Sequence, residues 1–423
     1  MGFNPKHALP ASLLTVCALL NTSTTFAESE MNVDTKGGLS VFDIKDEDYW
    51  FKIGGRINAD YASFHGAGHS GYPSGANLRR ARVTFKGGVG SQWVYKVDLD
   101  HASDGSTEFG EAFVAYDGFE WIWIALGQVG TPFSLDNWTS SNEYILMENA
   151  LPVQAFSPGS GLGVYVEGNW TDFTWAAALT TPKDGVTQIG DAQPSALGTS
   201  STTGRGPIGA DPIGITGRLT YAPIHTADTV YHFGTSFTWQ DQKDLANMFN
   251  FSTRPELRAR STPSLSTGVP SDSVKDYWVW GFEAAGKWGP VLVMGEYFTA
   301  HMNRFSNIAA TDARRPGGDL GYNGYYIAAS YVVTGESKDY DFESATFGRV
   351  RPLSKSGAIE LVARHSFVDL QDKSFGLGRE RDTTLGATWW VNDYVRFMLN
   401  YTHARLPVDT TLNIIGARAQ VNW

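Results

Sequence analysis

Residues 413–423 read NIIGARAQVNW, and the chain ends there. Ile415, Ala417, Ala419, Val421 and Trp423 alternate with Gly416, Arg418, Gln420 and Asn422, the period-2 pattern of a β-strand with one apolar and one polar face. A closing strand of this kind has no later element to cover its edge. Its natural partner is the first strong strand, Tyr49 to Tyr61. There Phe51, Ile53, Ile57, Ala59 and Tyr61 share one face and Lys52, Arg56, Asn58 and Asp60 the other. First pairing with last closes the sheet into a barrel and abolishes its edges.

Between these ends, aromatic and β-branched alternation marks further segments. The sixteen candidate strands are 49–61, 77–87, 92–100, 109–117, 120–129, 160–169, 172–181, 213–222, 230–240, 275–287, 290–300, 322–333, 357–368, 382–391, 394–405 and 413–423. Connections after odd-numbered strands are mostly long, such as Gly130–Gly159 and Asp241–Val274. Those after even-numbered strands are mostly tight, such as Trp170-Thr171 and Trp288-Gly289. An even strand count with short turns at one end and long loops at the other is the plan of a transmembrane antiparallel barrel. Thr334–Ser356 is long where a turn is due. A soluble sandwich gives no reason for loops to sort this way. The expected arrangement puts apolar faces such as Val395, Phe397, Leu399 and Tyr401 toward lipid and Arg396, Met398, Asn400 and Thr402 toward a lumen.

Residues 1–27 read as a secretory leader: Lys6, an apolar run from Ala8 to Leu20, and a small-x-small site at Thr25-Phe26-Ala27. Its run is too short to span a bilayer. The chain's one cysteine, Cys17, lies inside it, so the mature barrel would stand without disulfides. Residues 28–48 read as a polar lead-in on the periplasmic side, and 49–423 as the barrel. The chain is 42% hydrophobic, enough when only alternate strand residues must face lipid. Its formal charge of -11 argues against a nucleic-acid partner.

Several blocks, taken together, resemble a known family. Lys36–Leu39 (KGGL), 51–61 (FKIGGRINADY), 78–85 (LRRARVTF), 221–233 (YAPIHTADTVYHF), 324–336 (GYYIAASYVVTGE), 357–366 (GAIELVARHS) and 386–401 (GATWWVNDYVRFMLNY) are similar, in order, to the phosphate-selective porin O and P family. The resemblance implies a sixteen-stranded homotrimeric barrel with an inward-folded constriction loop within Gly130–Gly159, and it accounts for the long Thr334–Ser356 connection. It places an arginine ladder at 251–260 (FSTRPELRAR), where Arg254, Arg258 and Arg260 share one extended face and Glu256 weakens their field. Guanidiniums so spaced can pass an anion along a wall. Arg79 and Arg80 fall near the constriction, with Arg56 on a lumen face. In the constriction loop stand Asp136, Asn137 and Asn149, the asparagines at positions where phosphate-selective members carry a lysine and an arginine. Gly110 and Val94 replace an accompanying acid and lysine. The expected function is passive diffusion of small hydrophilic solutes through the outer membrane of a Gram-negative bacterium, with some preference for anions such as phosphate. Lumen-face Lys96, Arg218, Arg364, Arg396 and Arg418 would be partly paired with acids such as Asp60 and Asp98. The partners implied are outer-membrane lipid and lipopolysaccharide, small anions and two further copies of the chain.

No catalytic, cofactor or metal motif emerges. Gly159–Gly163 is glycine-rich but enters a strand, which is the wrong context for a dinucleotide loop. His65 and His69 lie in a glycine-rich segment unsuited to a helix. Asp98, Asp100, Asp104 and Glu108 lack calcium-loop spacing. His365 and His403 have no nucleophile at readable spacing. The alternative function is a surface adhesin or structural barrel without transport.

Overall fold

The computed structural model describes residues 31–34, 39–43, 49–66, 72–102, 107–182, 188–189, 213–241, 251–257, 264–269, 273–305, 318–373, 375–376 and 378–423. The leader reading of residues 1–27, together with His69, Arg258 and Arg260, lies outside them.

Sixteen antiparallel strands close on themselves: β1 Tyr49–His65, β2 Gly75–Val89, β3 Trp93–Ala102, β4 Thr107–Tyr116, β5 Trp123–Val129, β6 Gly161–Trp170, β7 Phe173–Pro182, β8 Gly214–His225, β9 Thr229–Asp241, β10 Val274–Trp288, β11 Val291–Arg304, β12 Leu320–Val332, β13 Ala358–Asp369, β14 Arg379–Trp390, β15 Val395–Leu406 and β16 Thr410–Asn422. Each pairs with its chain neighbour, and β16 pairs with β1 from Asn413↔His65 to Asn422↔Arg56. The seam ends in a reciprocal pair of 3.0 Å backbone bonds between Gly55 and Trp423. Beyond that point the edge of β1 is taken over by Leu39–Asp43, paired Leu39↔Ile53 to Phe42↔Trp50 and itself paired with Met31–Asp34. Part of the lead-in is thus sheet, continuing the last strand's row.

Burial alternates along the strands as the lipid-outside reading requires. On β16, Ile415 and Val421 are exposed, whereas Ile414, Arg418 and Gln420 are buried. The interior differs from a simple polar lumen. Val279, Phe298, Met302 and Tyr326 face inward and pack with Phe133, Leu135, Leu151, Phe156, Phe251 and Leu265 from two loops. Period-2 alternation cannot reveal this core, because it forms only after distant loops fold into the barrel. Bare wall positions receive the loop side chains. A Cβ at Gly386 would lie 2.4 Å from Leu146 Cδ2, and one at Gly416 would lie 2.3 Å from Leu257 Cδ2.

The long connection from β12 to β13 also turns inward, from the end that carries the tight turns. It forms a hairpin of Lys338–Asp341 and Thr346–Val350. Arg218 of the wall donates to Ser344 O at 3.0 Å and Ala345 O at 2.9 Å. The Tyr340 hydroxyl and His232 Nδ1 share a 2.9 Å hydrogen bond, and Lys338 pairs with Glu360 at 3.1 Å.

Candidate pore constriction

The connection from β5 to β6 is the inward loop. It carries two short helices, α1 Leu135–Trp138 and α2 Leu151–Phe156. At α1 the cap residue Ser134 takes a positive φ of 67°, and its Oγ accepts from Asn137 N. The orphan N–H groups of the first turn find a wall carboxylate. Leu135 N and Asp136 N donate to Glu296 at 3.0 and 2.9 Å, and Ser134 Oγ donates to it at 3.0 Å. At α2, Ala150 N donates to Asp136 Oδ2 at 2.9 Å and Leu151 N to Glu256 Oε1 at 3.3 Å. Glu256 comes from the loop after β9, so the two loops are tied to each other as well as to the wall.

Wall guanidiniums close the other side. Arg418 donates to both Asp60 oxygens at 2.7 Å, to Glu148 at 2.9 Å and to Met147 O at 2.5 Å. Arg364 pairs with Glu256 at 2.8 Å and reaches Glu148 O, also at 2.8 Å. Arg396 donates to Tyr144 O at 2.9 Å, and Arg56 to Ser141 Oγ at 2.5 Å. Carbonyls and carboxylates of the loop are thereby satisfied in a buried setting where a lost partner is costly. The inward hairpin joins in: Arg349 donates to Glu143 of the loop at 2.7 Å.

Arg79 and Arg80 are adjacent yet both face inward. A bulge causes it: Asn58 pairs with Arg80 and Ala59 with Leu78, leaving Arg79 as the extra residue. Without it, strict alternation would send one arginine into lipid. Arg79 forms a two-point bond with Glu148 at 2.8 and 3.1 Å. Burial alone would raise the Glu148 carboxyl, but Arg79, Arg80 and Arg418 hold it well below the usual carboxylate range. Burial pushes Asp136 the other way, above the usual range, despite Arg364 at 4.0 Å. Arg80 Nη1 and the Asn58 amide are buried with no hydrogen-bond partner among the described residues. Arg80 and Asn58 stand opposite each other across the strand pair.

A second bulge sets Gly110 and Glu111 against Asp98. Arg82 bonds Asp100 at 2.7 Å, while Lys96 lies 3.3 Å from Asp98 and also pairs with Glu111. A Cβ on Gly110 would meet Asp98 Cβ at 3.2 Å and Arg82 Cζ at 3.5 Å. Toward the turn end this wall opens into a vestibule of about 950 Å³ lined by Lys86, Lys96, Asp117, Glu167 and Asp341. Val94 lines it too.

The remaining site residues of the sequence reading fall as follows. Asn137 donates to Phe133 O at 3.2 Å and Asn149 to Asp136 O at 2.9 Å, so both amides brace the loop. Arg254 is half-buried, its guanidinium lowered first by burial and then by Arg79. Glu256, expected beside the ladder, is buried against Arg364. Arg82 and the Arg349–Glu143 link were not legible. Arg82 shares the face of Arg80, a spacing that could have flagged it, but nothing local announces a pair 206 residues apart.

Residues 51–423 match the family described as phosphate-selective porin O and P. The chain belongs to this family. Porin O of Pseudomonas aeruginosa is 28% identical over 96% of each chain. An uncharacterised protein of Caulobacter vibrioides is 27% identical over 88% of this chain and 74% of its own. Among solved structures, a loop L8 deletion mutant of OmpT, an outer membrane protein of Vibrio cholerae, superposes with a TM-score of 0.54 at 11% identity. It covers 89% of this chain and 100% of its own. A trimer form of OmpT gives 0.52 at the same identity, covering 89% of this chain and 99% of its own. At that identity the likeness concerns the fold alone. Membership fixes the place and class of the molecule: a porin of the Gram-negative outer membrane, with its tight turns on the periplasmic side.

Proposed function

We propose that this porin lets small hydrophilic solutes diffuse passively, prefers anions such as phosphate, and works as a homotrimer. The observation that carries the anion preference is the buried, unpartnered Nη1 of Arg80 facing the unpartnered Asn58 amide beside the inward loop. Two donors held out of bulk water with nothing to donate to suit a desolvated oxyanion. The preference is modest, because Asp60, Asp98, Asp100 and Glu148 neutralise most neighbouring cations. The trimer form of the structurally similar OmpT supports the assembly. Residues 1–27 would be removed as a leader, leaving lead-in and barrel.

An enzymatic reading touches one observation. Ser63 Oγ and His65 Nε2 lie 2.8 Å apart. The pair is exposed on the outward face of β1, where its register neighbours on β16 are Ile415 and Asn413 and not a carboxylate, so the triad logic is incomplete.

Planar-bilayer recording of folded trimers tests the proposal. Wild-type protein should conduct, with a reversal potential on the anion side in a salt gradient. Arg80→Ala should move that potential toward cations and raise the phosphate concentration that half-blocks chloride current about tenfold, as expected for one lost charge-assisted bond. Silence from folded trimers removes the pore, and an unchanged potential in the variant removes Arg80 as the anion site.

A further inference from the structure

Away from the lumen, basic side chains gather on the outer wall at its extracellular end. Outward residues along β15 run Val395, Phe397, Leu399, Tyr401, His403, Arg405, and along β14 Trp389, Ala387, Leu385, Thr383, Arg381, Arg379. Phe397, Leu399, Leu385 and Trp389 are exposed and form the lipid-facing band. At ~3.4 Å per residue, Val395 to Arg405 spans about 34 Å of strand. Tilted ~40° from the barrel axis, that is about 26 Å of height, against an apolar band about 25 Å tall. Arg381 and Arg405 therefore stand at the level of the outer-leaflet headgroups.

The register places Arg381 directly opposite Arg405. Like charges so paired repel. Both are exposed, and among the described residues neither forms an ion pair; Arg381 lies over the Phe367 ring at 5.1 Å. Arg379 is held by Asp369 at 2.7 Å. Arg379, Arg381, His403 and Arg405 line one groove of about 740 Å³, with Asp409 at the tip of the adjoining turn. A bridging dianion would turn the Arg381–Arg405 repulsion into a clamp, since guanidinium forks match phosphate oxygens.

We propose that this groove binds a phosphate of lipid A, the phosphorylated lipid anchor of lipopolysaccharide, with acyl chains lying along Tyr401, Leu399 and Leu385. The band beneath the arginines is the reason for a lipid: a free phosphate gains nothing from it, whereas a phospholipid-like ligand satisfies both. The inference rests on the outer-membrane placement and is independent of any anion preference in the pore.

Native mass spectrometry of detergent-solubilised trimers, titrated with bisphosphorylated or dephosphorylated lipid A, tests it. Wild-type protein should bind the phosphorylated form at least tenfold more tightly. Arg381→Glu/Arg405→Glu should abolish most of that difference, and the milder Arg381→Gln/Arg405→Gln carries the test if the first does not fold. Heat-modifiable gel mobility checks folding. Bilayer conductance should stay at the wild-type level, because both residues face away from the lumen. Equal retention of phosphorylated lipid A by a folded variant overturns the proposal. Full displacement of the lipid by millimolar inorganic phosphate also overturns it, assigning the groove to a free ion.

Discussion

Arg418→Leu isolates the strongest clamp on the inward loop. The Arg418 side chain is fully buried, and among the described residues it is the sole ion-pair partner of Asp60, whose side chain is 1% exposed. Glu148 keeps its two bonds to Arg79 when Arg418 is lost, so the damage concentrates on Asp60. Breaking one side of a buried pair typically costs about 3–5 kcal/mol, because a charge is left without compensation. Loss of the bond to Met147 O adds to this and frees the middle of the loop. Replacing both partners removes the orphan charge, and such exchanges run from near neutral to mildly stabilising. Arg418→Leu should therefore lower stability by about 4 kcal/mol, and Arg418→Leu/Asp60→Leu should recover at least about 2 kcal/mol of it.

Urea unfolding of refolded trimers in detergent, followed by tryptophan fluorescence, reads both values from midpoints and slopes. Bilayer recordings of the single variant should show a noisier open channel, since the loop loses its anchor at Met147 O and one of the bonds to Glu148. A single variant within about 1 kcal/mol of wild type, or a double variant no better than the single, would refute the reasoning. Either result would mean that water reaches Asp60 and the wall there is wet.

Two further perturbations probe the same assembly. Asp136 is an acid whose folded-state value burial raises, so the folded chain holds that proton more tightly than the unfolded chain does, and stability falls as pH climbs from its ordinary value of about 3.9 toward the raised one. Asp136→Asn still accepts from Ala150 N; it should match or exceed wild-type stability at pH 7 and flatten the decline above pH ~4, read from urea midpoints at several pH values. Arg349→Ala cuts the link between the periplasmic hairpin and the inward loop, a partly exposed pair worth about 1 kcal/mol. Unfolding midpoints should barely move while conductance and current noise rise. Unchanged currents would show that the hairpin does not steady the loop.

The barrel was legible because lipid on one side and water or packed loop on the other impose a period of two on every strand. The sixteen expected segments match the observed strands to within a few residues; 382–391, for example, is found as Arg379–Trp390. The constriction was less legible, for a physical reason. An arginine on a lumen face reads the same in sequence whether it meets a solvent ion or a carboxylate brought from far along the chain. Arg56, Arg79, Arg364, Arg396 and Arg418 all meet the inward loop or its acids. One signal was present: Tyr144 to Met147 and Ala150 to Phe156 are too apolar for a loop in water, and their burial is what draws the loop inside. Once drawn in, it claims the arginines it touches and leaves Arg80 with an unpaired donor. Arg80 and Arg79 can both point inward only because of the bulge at Arg79, which no periodicity announces. On the proposed reading, that one extra residue is what sets a second guanidinium, bonded to Glu148, beside the anion site at Arg80. Deleting Arg79 should restore strict alternation with Leu78 still opposite Ala59 and Arg80 still opposite Asn58, so the loss falls on the two-point bond to Glu148 and on the charge beside Arg80.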